Sequence, residues 1–212
     1  MSKDYLQLNK ETYDRLAKEF QDKIGSRLSS DKRVVERFVS FLPTPSSNIN
    51  ILDIGPGNGN MSMLLSELGY NVTAIEISPE MTRVASNNAP KAKIITDDFL
   101  SHQFDKSFTG ILAIAFIHLF PKQDLFRVLN KIKDLLENDG KVYFSTTKHR
   151  NSEEGMFSKN NFKDKSKRFR HKFTKEELWE QLEKIGFRII DYSEDIGCEE
   201  ENKIWMNFIV SK

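Results

Sequence analysis

Several features that mark secreted, membrane-spanning or nucleic-acid-coating proteins are absent from this sequence. A single cysteine, Cys198, excludes an internal disulfide and fits a reducing compartment. Lys and Arg number 32 against 31 Asp and Glu, so no overall field would hold nucleic acid or an anionic membrane. The longest apolar stretch, residues 111–120, is interrupted by His118 and is far below the ~18 residues that span a bilayer. No apolar run follows the charged residues 1–5, so we expect no signal peptide and a cytoplasmic location.

The sequence does contain a short apolar strand, residues 51–54, that runs at once into alternating glycines. Asp53 precedes Gly55, Gly57 and Gly59 in the pattern Asp-x-Gly-x-Gly-x-Gly. Only glycine lacks the Cβ that would keep a ligand away from such a sharp turn, so the stretch predicts a site for a nucleoside-like cofactor. An incidental glycine turn in some other α/β protein is the alternative.

The residues after this turn argue against two phosphate-binding motifs. A dinucleotide fingerprint would place its third glycine where Asn60 stands. A phosphate-cradling P-loop would need a Lys and a Ser or Thr after its glycines, whereas Asn60-Met61-Ser62 follows here. The pattern instead resembles the first motif of class I S-adenosylmethionine-dependent methyltransferases, and this resemblance implies S-adenosylmethionine as the cofactor.

Acidic residues after the next two strands match the same resemblance. Glu76 ends the second predicted strand, where a carboxylate can accept hydrogen bonds from both ribose hydroxyls; a solvated strand-end glutamate is the alternative. In the family, an Asp after the third strand accepts from the adenine amino group while an apolar neighbour lies against the ring. Asp98 and Phe99 match that pairing better than Asp97, although a solvated turn would also explain these residues.

The end of the fourth predicted strand, residues 108–117, departs from the family pattern. An Asp, Asn or Ser usually stands there, whereas this chain has an apolar run at residues 113–115, and Ala115 is the expected cofactor neighbour. His118 follows in a His-Leu-Phe-Pro stretch similar to one that small-molecule methyltransferases often carry. Its neutral imidazole can take a proton during catalysis. A structural histidine that holds the loop is the alternative.

Helical spacing at the N-terminus marks residues 10–24 and a second helix from about Asp31. The segment around Tyr13 resembles the N-terminal helix that many small methyltransferases fold over the cofactor. Further along the chain, the pattern predicts a helix that ends at Asp139-Gly140 and a fifth strand over residues 142–146.

The order of the predicted elements implies a Rossmann-like fold. The last two strands, residues 187–193 and 203–210, have no helix between them, so they can pair only antiparallel. We therefore expect a seven-stranded, mostly parallel sheet with an antiparallel C-terminal strand, helices on both faces and an N-terminal helical lid.

The length of 212 residues predicts one domain, which we divide into four parts. These are N-terminal helices (1–47), a cofactor-binding core (48–147), a basic segment on the substrate side (148–173) and a C-terminal helix with a strand pair (174–212).

The basic segment holds nine Lys or Arg against three acids between residues 148 and 172. A parallel sheet binds ligands beyond the carboxyl ends of its strands, so we expect this segment to border the methyl acceptor. Arg168 and Arg170 would clamp a carboxylate or phosphate, because guanidinium holds such groups bidentately. A solvated, mobile loop is the alternative.

Together these features predict methyl transfer from S-adenosylmethionine to an N, O or S nucleophile of a small, anionic molecule. The hypothesis includes no metal, no membrane and no nucleic-acid partner. RNA or protein methylation through the basic segment is one alternative. A non-catalytic cofactor-binding module that acts as an assembly partner is the other.

Overall fold

The computed structural model describes residues 4–158, 162–196 and 203–212. Cys198, and Lys159 of the basic segment, lie outside these ranges.

The helices in these ranges are α1 (Asp4–Asp22), α2 (Ile24–Val39), α3 (Asn60–Glu67), α4 (Pro79–Asn88), α5 (Lys122–Leu135) and α6 (Lys175–Ile185). A short 3-10 turn covers Ile117–Leu119. The strands are β1 (Asn50–Ile54), β2 (Asn71–Glu76), β3 (Lys93–Thr96), β4 (Phe108–Ile114), β5 (Leu136–Thr147), β6 (Glu153–Ser158), β7 (Lys167–Lys172), β8 (Arg188–Ile196) and β9 (Ile204–Ser211).

The central sheet has seven strands in the order β3-β2-β1-β4-β5-β9-β8. Strands β1 to β5 pair in parallel, and β9 is antiparallel to both β5 and β8. The predicted fold class is therefore confirmed. The strand order reverses between β1 and β4, so the crevice beyond their carboxyl ends is where an open α/β sheet binds its ligand.

Alternation along β1 sends successive side chains to opposite faces of the sheet. Ile51 belongs to a cluster with Phe38 of α2 and Leu65 of α3. Leu52 belongs to the opposite cluster, which includes Leu125 of α5. Helices thus cover both faces, and the carboxyl edge of the sheet is left for loops.

Several predicted boundaries are wrong, and the first is that of α1, which begins at Asp4 rather than at residue 10. Helix α2 begins at Ile24 rather than near Asp31, and its first turns are held by Asn60, whose Nδ2 donates to the carbonyl of Ile24 at 3.0 Å and to Asp31 Oδ2 at 2.7 Å. Strand β4 ends at Ile114, and the remaining apolar residues, such as Ile117, enter the core from the 3-10 turn instead. An apolar run alone does not reveal where a strand stops.

Another wrong boundary lies between α5 and β5. The helix ends at Leu135, and Asp139-Gly140 lies within the longer strand β5. The pairing of β4 with β5 changes register between Phe108 and Gly110, and this irregularity accommodates the early start of β5.

The basic segment contains an ordered antiparallel hairpin, in which β6 pairs with β7 from Glu153 opposite Lys172 to Ser158 opposite Lys167. Helix α1 lies against β7: Thr12 Oγ1 donates to the carbonyl of Lys167 at 2.8 Å, and the amide of Phe169 donates to Asn9 Oδ1 at 2.8 Å. Both α1 side chains are buried. The hairpin strands of this segment are therefore not the solvated loop that the sequence left as an alternative, whereas residues 163–166 lie between those strands, with Lys163 and Lys165 exposed.

Candidate active site at the carboxyl edge of the sheet

The turn after β1 depends on glycine at three positions. Gly55, Gly57 and Gly59 all have positive φ, at 70°, 59° and 82°, a region that side-chain-bearing residues rarely adopt. A Cβ on Gly59 would lie 2.8 Å from the carbonyl oxygen of Ala85, so this glycine lets α4 approach the turn. A Cβ on Gly57 would meet no atom within 4 Å. The space beside Gly57 is therefore open, as a cofactor lying against the turn would require.

Asp53 lies behind this turn. Its carboxylate is 2 % exposed and accepts a hydrogen bond from Ser62 Oγ at 2.6 Å. Burial raises the pKa of Asp53 to about 6, against the opposing effect of the Ser62 hydrogen bond. The contact ties the end of β1 to α3, so Asp53 fixes the turn from inside. Sequence reasoning predicted Asp53 as a cofactor contact and missed Ser62.

Glu76 ends β2 beside the turn. One carboxylate oxygen, Oε1, accepts from the backbone amide of Ser78 at 2.9 Å, and the side chain is 8 % exposed. Burial raises the pKa of Glu76 to about 7, and the nearby carboxylates of Asp14 and Asp53 add to this effect. A buried carboxylate with remaining acceptor capacity fits a pair of ribose hydroxyls, which would supply the donors that burial has removed.

Helix α1 covers this side of the site. Leu16, Ala17 and Phe20 pack with Met81 and Val84 of α4 in one buried cluster. Tyr13, predicted as the lid residue, lies at the edge of that cluster with its ring 6.0 Å from Phe20. The residue after it, Asp14, accepts from Ser78 Oγ at 2.5 Å, a contact that the sequence did not reveal. Helix α1 thus packs directly on α4.

The loop after β3 carries Asp97, Asp98 and Phe99. Asp97 pairs with His102 Nδ1 at 2.9 Å, and this hydrogen bond lowers the pKa of Asp97. Asp98 Oδ1 accepts from the amide of Leu100 at 3.0 Å and is partly exposed. Phe99 is buried in the core, with its ring 5.6 Å from that of Phe116. Phe99 therefore anchors the loop, and the adenine contacts of these residues stay a prediction.

Ala115 follows the last residue of β4 in a left-handed conformation with φ of 54°. It is the one non-glycine residue with positive φ in the described ranges. Its amide donates to the carbonyl of Ser145 at 2.8 Å, which holds this backbone against β5. Strained backbone of this kind is common at functional sites, and here it turns the chain at the sheet's switch point.

His118 lies in the 3-10 turn and is 3 % exposed. Its Nδ1 is 3.0 Å from Thr146 Oγ1, near the carboxyl end of β5. The structure therefore brings His118 to the same edge of the sheet as Glu76 and Ala115. A buried imidazole held by a strand-end hydroxyl suits either a positioned base or a structural contact, so its catalytic role stays a prediction.

Arg168 and Arg170 lie two residues apart on β7, so their side chains leave the same face of the hairpin. An Nη2 hydrogen of Arg170 reaches Thr147 Oγ1 at the end of β5. Arg168 is 3 % exposed, and its Nε and Nη1 have no hydrogen-bond partner among the described residues. The hairpin thus brings two guanidinium groups to the carboxyl edge of the sheet.

Within the described part of the chain, no group of three His, Cys, Asp or Glu side chains is arranged to hold a metal ion. None of its helices is long and apolar enough to cross a membrane.

Comparison with known proteins agrees with this geometry. A family described as a methyltransferase domain matches residues 27–192, and the chain belongs to this family. An uncharacterised methyltransferase of Alkaliphilus oremlandii is 25% identical over 190 residues, which cover 87% of this chain and 83% of that protein. The predicted class, an S-adenosylmethionine-dependent methyltransferase, is thereby confirmed.

Two other similar proteins differ in what they act on. Ribosomal RNA small subunit methyltransferase A of Mycoplasma mobile is 30% identical over 117 residues, covering 54% of this chain and 45% of that enzyme. A Burkholderia thailandensis 1,6-didemethyltoxoflavin-N1-methyltransferase, solved with its small-molecule substrate and S-adenosylhomocysteine, superposes with a TM-score of 0.79 at 18% identity. That superposition covers 99% of this chain and 89% of the other.

Proposed function

We propose that this protein transfers a methyl group from S-adenosylmethionine to an N, O or S nucleophile of a small, anionic molecule. The observation that carries the acceptor class is the buried guanidinium of Arg168, with unpaired Nε and Nη1 donors at the carboxyl edge of the sheet. The methyl acceptor's anionic group would supply the missing partner.

The donor would lie against the open face of the glycine turn at Gly57, with its ribose hydroxyls on the carboxylate of Glu76 and its adenine near Asp98. When bound, the sulfonium supplies an activated methyl group and a good leaving group. The chain's own residues then have to hold the two reactants in line and keep water away. Closure of α1 over the site serves the second requirement.

Burial of the Arg168 guanidinium favours an anionic acceptor for an energetic reason. An ion removed from water loses several kcal/mol of solvation unless a partner of opposite charge and hydrogen bonds replace it. Arg168 is buried and forms no ion pair with another described residue. A carboxylate or phosphate on the acceptor would accept from Nη1 and the neighbouring Nη2 together, in the end-on bidentate geometry that guanidinium allows.

His118 is the side chain we assign to proton transfer. Its imidazole is held by Thr146 at the same edge as the arginine pair. An acceptor that must lose a proton to react, such as a phenol, would be assisted by this group, whereas a carboxylate is already ionised and a free amine would need only positioning.

RNA methylation is the second candidate, favoured by the similarity to ribosomal RNA enzymes, although that match covers less than half of their length. The charges of the basic segment weigh against it. Lys148 pairs with Glu194 at 2.8 Å and Lys172 pairs with Glu153 at 2.8 Å, while Arg168 is buried. Two of the segment's nine cations are thus neutralised by acids of the protein and a third is withdrawn from the surface, which reduces the free positive surface that RNA phosphates would need.

Isotopic labelling tests the reaction and separates the candidates. The protein is incubated with S-adenosylmethionine carrying a labelled methyl group and, separately, with a metabolite extract, total RNA and total protein. We expect label in small molecules that bind an anion-exchange resin. Label in RNA or protein alone would contradict the proposal, as would labelled products that are all neutral or cationic. No transfer to any of the three pools would favour the non-catalytic alternative.

An isosteric variant tests the clamp. Arg168→Met removes the charge and keeps most of the side-chain volume, with Lys167→Met as an exposed control on the same strand. We expect Arg168→Met to raise KM for the labelled acceptor about 10- to 100-fold, since a hydrogen bond to a charged group contributes ~1.5–3 kcal/mol.

The same variant should melt at a higher temperature than the wild type without acceptor, because an uncompensated buried charge has been removed. A structural arginine would give the opposite result, with a lower melting temperature and an unchanged KM. Equal KM values for both methionine variants at low salt would mean that Arg168 does not hold the acceptor.

A further inference from the structure

Asp14 lies on the inner side of α1, where this helix meets the start of α4. Its Oδ1 accepts from Ser78 Oγ at 2.5 Å and, more weakly, from the amide of Glu80 at 3.4 Å. Its Oδ2 pairs with Lys10 on the same helix at 3.2 Å. Asp14 therefore provides a polar contact beside the apolar packing of α1 on α4.

Ser78 links this contact to Glu76 and thereby to the proposed binding site of the methyl donor, which we call the donor site. Ser78 is fully buried and caps α4, with its Oγ accepting from the amide of Met81 at 3.1 Å. Its own backbone amide donates to Glu76 Oε1 at 2.9 Å. One serine thus joins two carboxylates: its hydroxyl holds Asp14, and its amide orients Glu76.

The position of Asp14 also suits its charge. The first turn of a helix carries partial positive charge from its free amides, so a carboxylate is favoured at the start of α4. The hydrogen bonds from Ser78, Lys10 and Glu80 lower the pKa of Asp14 despite its partial burial, so the group is ionised at neutral pH. An ionised Asp14 accepts more strongly from Ser78 than a neutral group would.

We propose that Asp14 is a positioning residue for the donor site, which latches α1 onto α4 and, through Ser78, fixes the orientation of Glu76. The inference rests on the proposed function, since it assumes that Glu76 accepts from the ribose of the cofactor. Asp14 itself would touch neither reactant.

This arrangement has an electrostatic consequence that simple packing of α1 lacks. The charged groups that face Glu76 are Asp14 from α1 and Asp53 from β1, and both raise its pKa. Lys10 partly offsets the charge of Asp14 from the same helix. Removing the charge of Asp14 should therefore lower the pH at which Glu76 ionises, and with it the midpoint of the pH dependence of cofactor binding.

Calorimetric titration with S-adenosylhomocysteine between pH 5.5 and 8.5 tests the proposal. The variants are Asp14→Asn, which keeps the shape and an acceptor, and Asp14→Ala, which removes both. Asp22→Asn is the matched control, because Asp22 lies on the same helix in an exposed pair with Lys18. The wild-type affinity should increase as pH rises through about 7, as Glu76 ionises.

We expect Asp14→Ala to bind about ten-fold more weakly at pH 8. Asp14→Asn should lose less affinity and show a midpoint at lower pH, while Asp22→Asn behaves as the wild type. A tight wild-type complex with unchanged affinity and midpoint in both Asp14 variants would overturn the role of Asp14 and leave the proposed function standing. Failure of the wild-type protein to bind S-adenosylhomocysteine at any pH would overturn both.

Discussion

Replacing Glu76 by Gln should stabilise the ligand-free protein and weaken cofactor binding at the same time. The carboxyl group is buried at the end of β2, and burial raises its pKa from 4.5 to about 7. Between these two values the unfolded chain has released its proton while the folded chain keeps it. The free energy of unfolding therefore falls as pH rises through this window.

The size of the effect follows from the shift. Each pKa unit corresponds to 1.36 kcal/mol, so the buried carboxylate lowers stability by on the order of 3 kcal/mol once pH exceeds about 7. Gln does not titrate, and its carbonyl oxygen can still accept from the amide of Ser78. The stability difference between variant and wild type should thus be small near pH 4.5 and approach its full value near pH 8.

Urea denaturation followed by circular dichroism at pH 5, 6, 7 and 8 measures this difference directly. Glu67→Gln, at an exposed position of α3, is the control and should run parallel to the wild type. A second experiment measures the binding of S-adenosylhomocysteine at pH 8. There, Glu76→Gln and Glu76→Ala should each lose ~1–3 kcal/mol of binding free energy. A Glu76→Gln curve parallel to the wild type would refute the burial argument, and unchanged affinity would refute the role as ribose acceptor.

Four further predictions concern the glycine turn, Ala115 and helix α1. Gly59→Ala should lower the melting temperature more than Gly57→Ala, because only the first adds a clash, 2.8 Å from Ala85, to the ~1–2 kcal/mol cost of positive φ; equal losses would contradict this. Gly57→Ala should mainly weaken S-adenosylhomocysteine binding, by filling the open face of the turn. Ala115→Gly should change the free energy of unfolding by less than about 1 kcal/mol, since relief at φ of 54° is offset by the freer unfolded chain, and a larger loss would show that its Cβ packs. Hydrogen exchange in residues 5–24 should slow when the cofactor binds, and equal protection in both states would make α1 a permanent packing element.

Much of the fold and the donor site could be predicted because their signals are local. The glycines of the turn, the strand that ends in Glu76 and the absence of a helix pattern between the last two strands are readable from neighbouring residues. Each reflects a constraint that acts within a few positions: positive φ, strand alternation or a missing crossover. The strand boundaries were harder to predict from sequence, because apolar residues occur both in the strand that ends at Ile114 and in the buried turn that follows it.

The remaining features depend on packing between distant parts of the chain. Asp14 and Ser78 are 64 positions apart. Ser78-Pro79 is a typical helix start, but no local pattern links it to Asp14. In the sequence, Arg168 is one of nine cations in the basic segment. Its burial without a partner depends on the β6–β7 hairpin, which forms only in the folded chain. Sequence determined which residues could form a donor site, since backbone geometry is set locally. Tertiary structure decided which charges are removed from water, because burial is a property of the assembled chain.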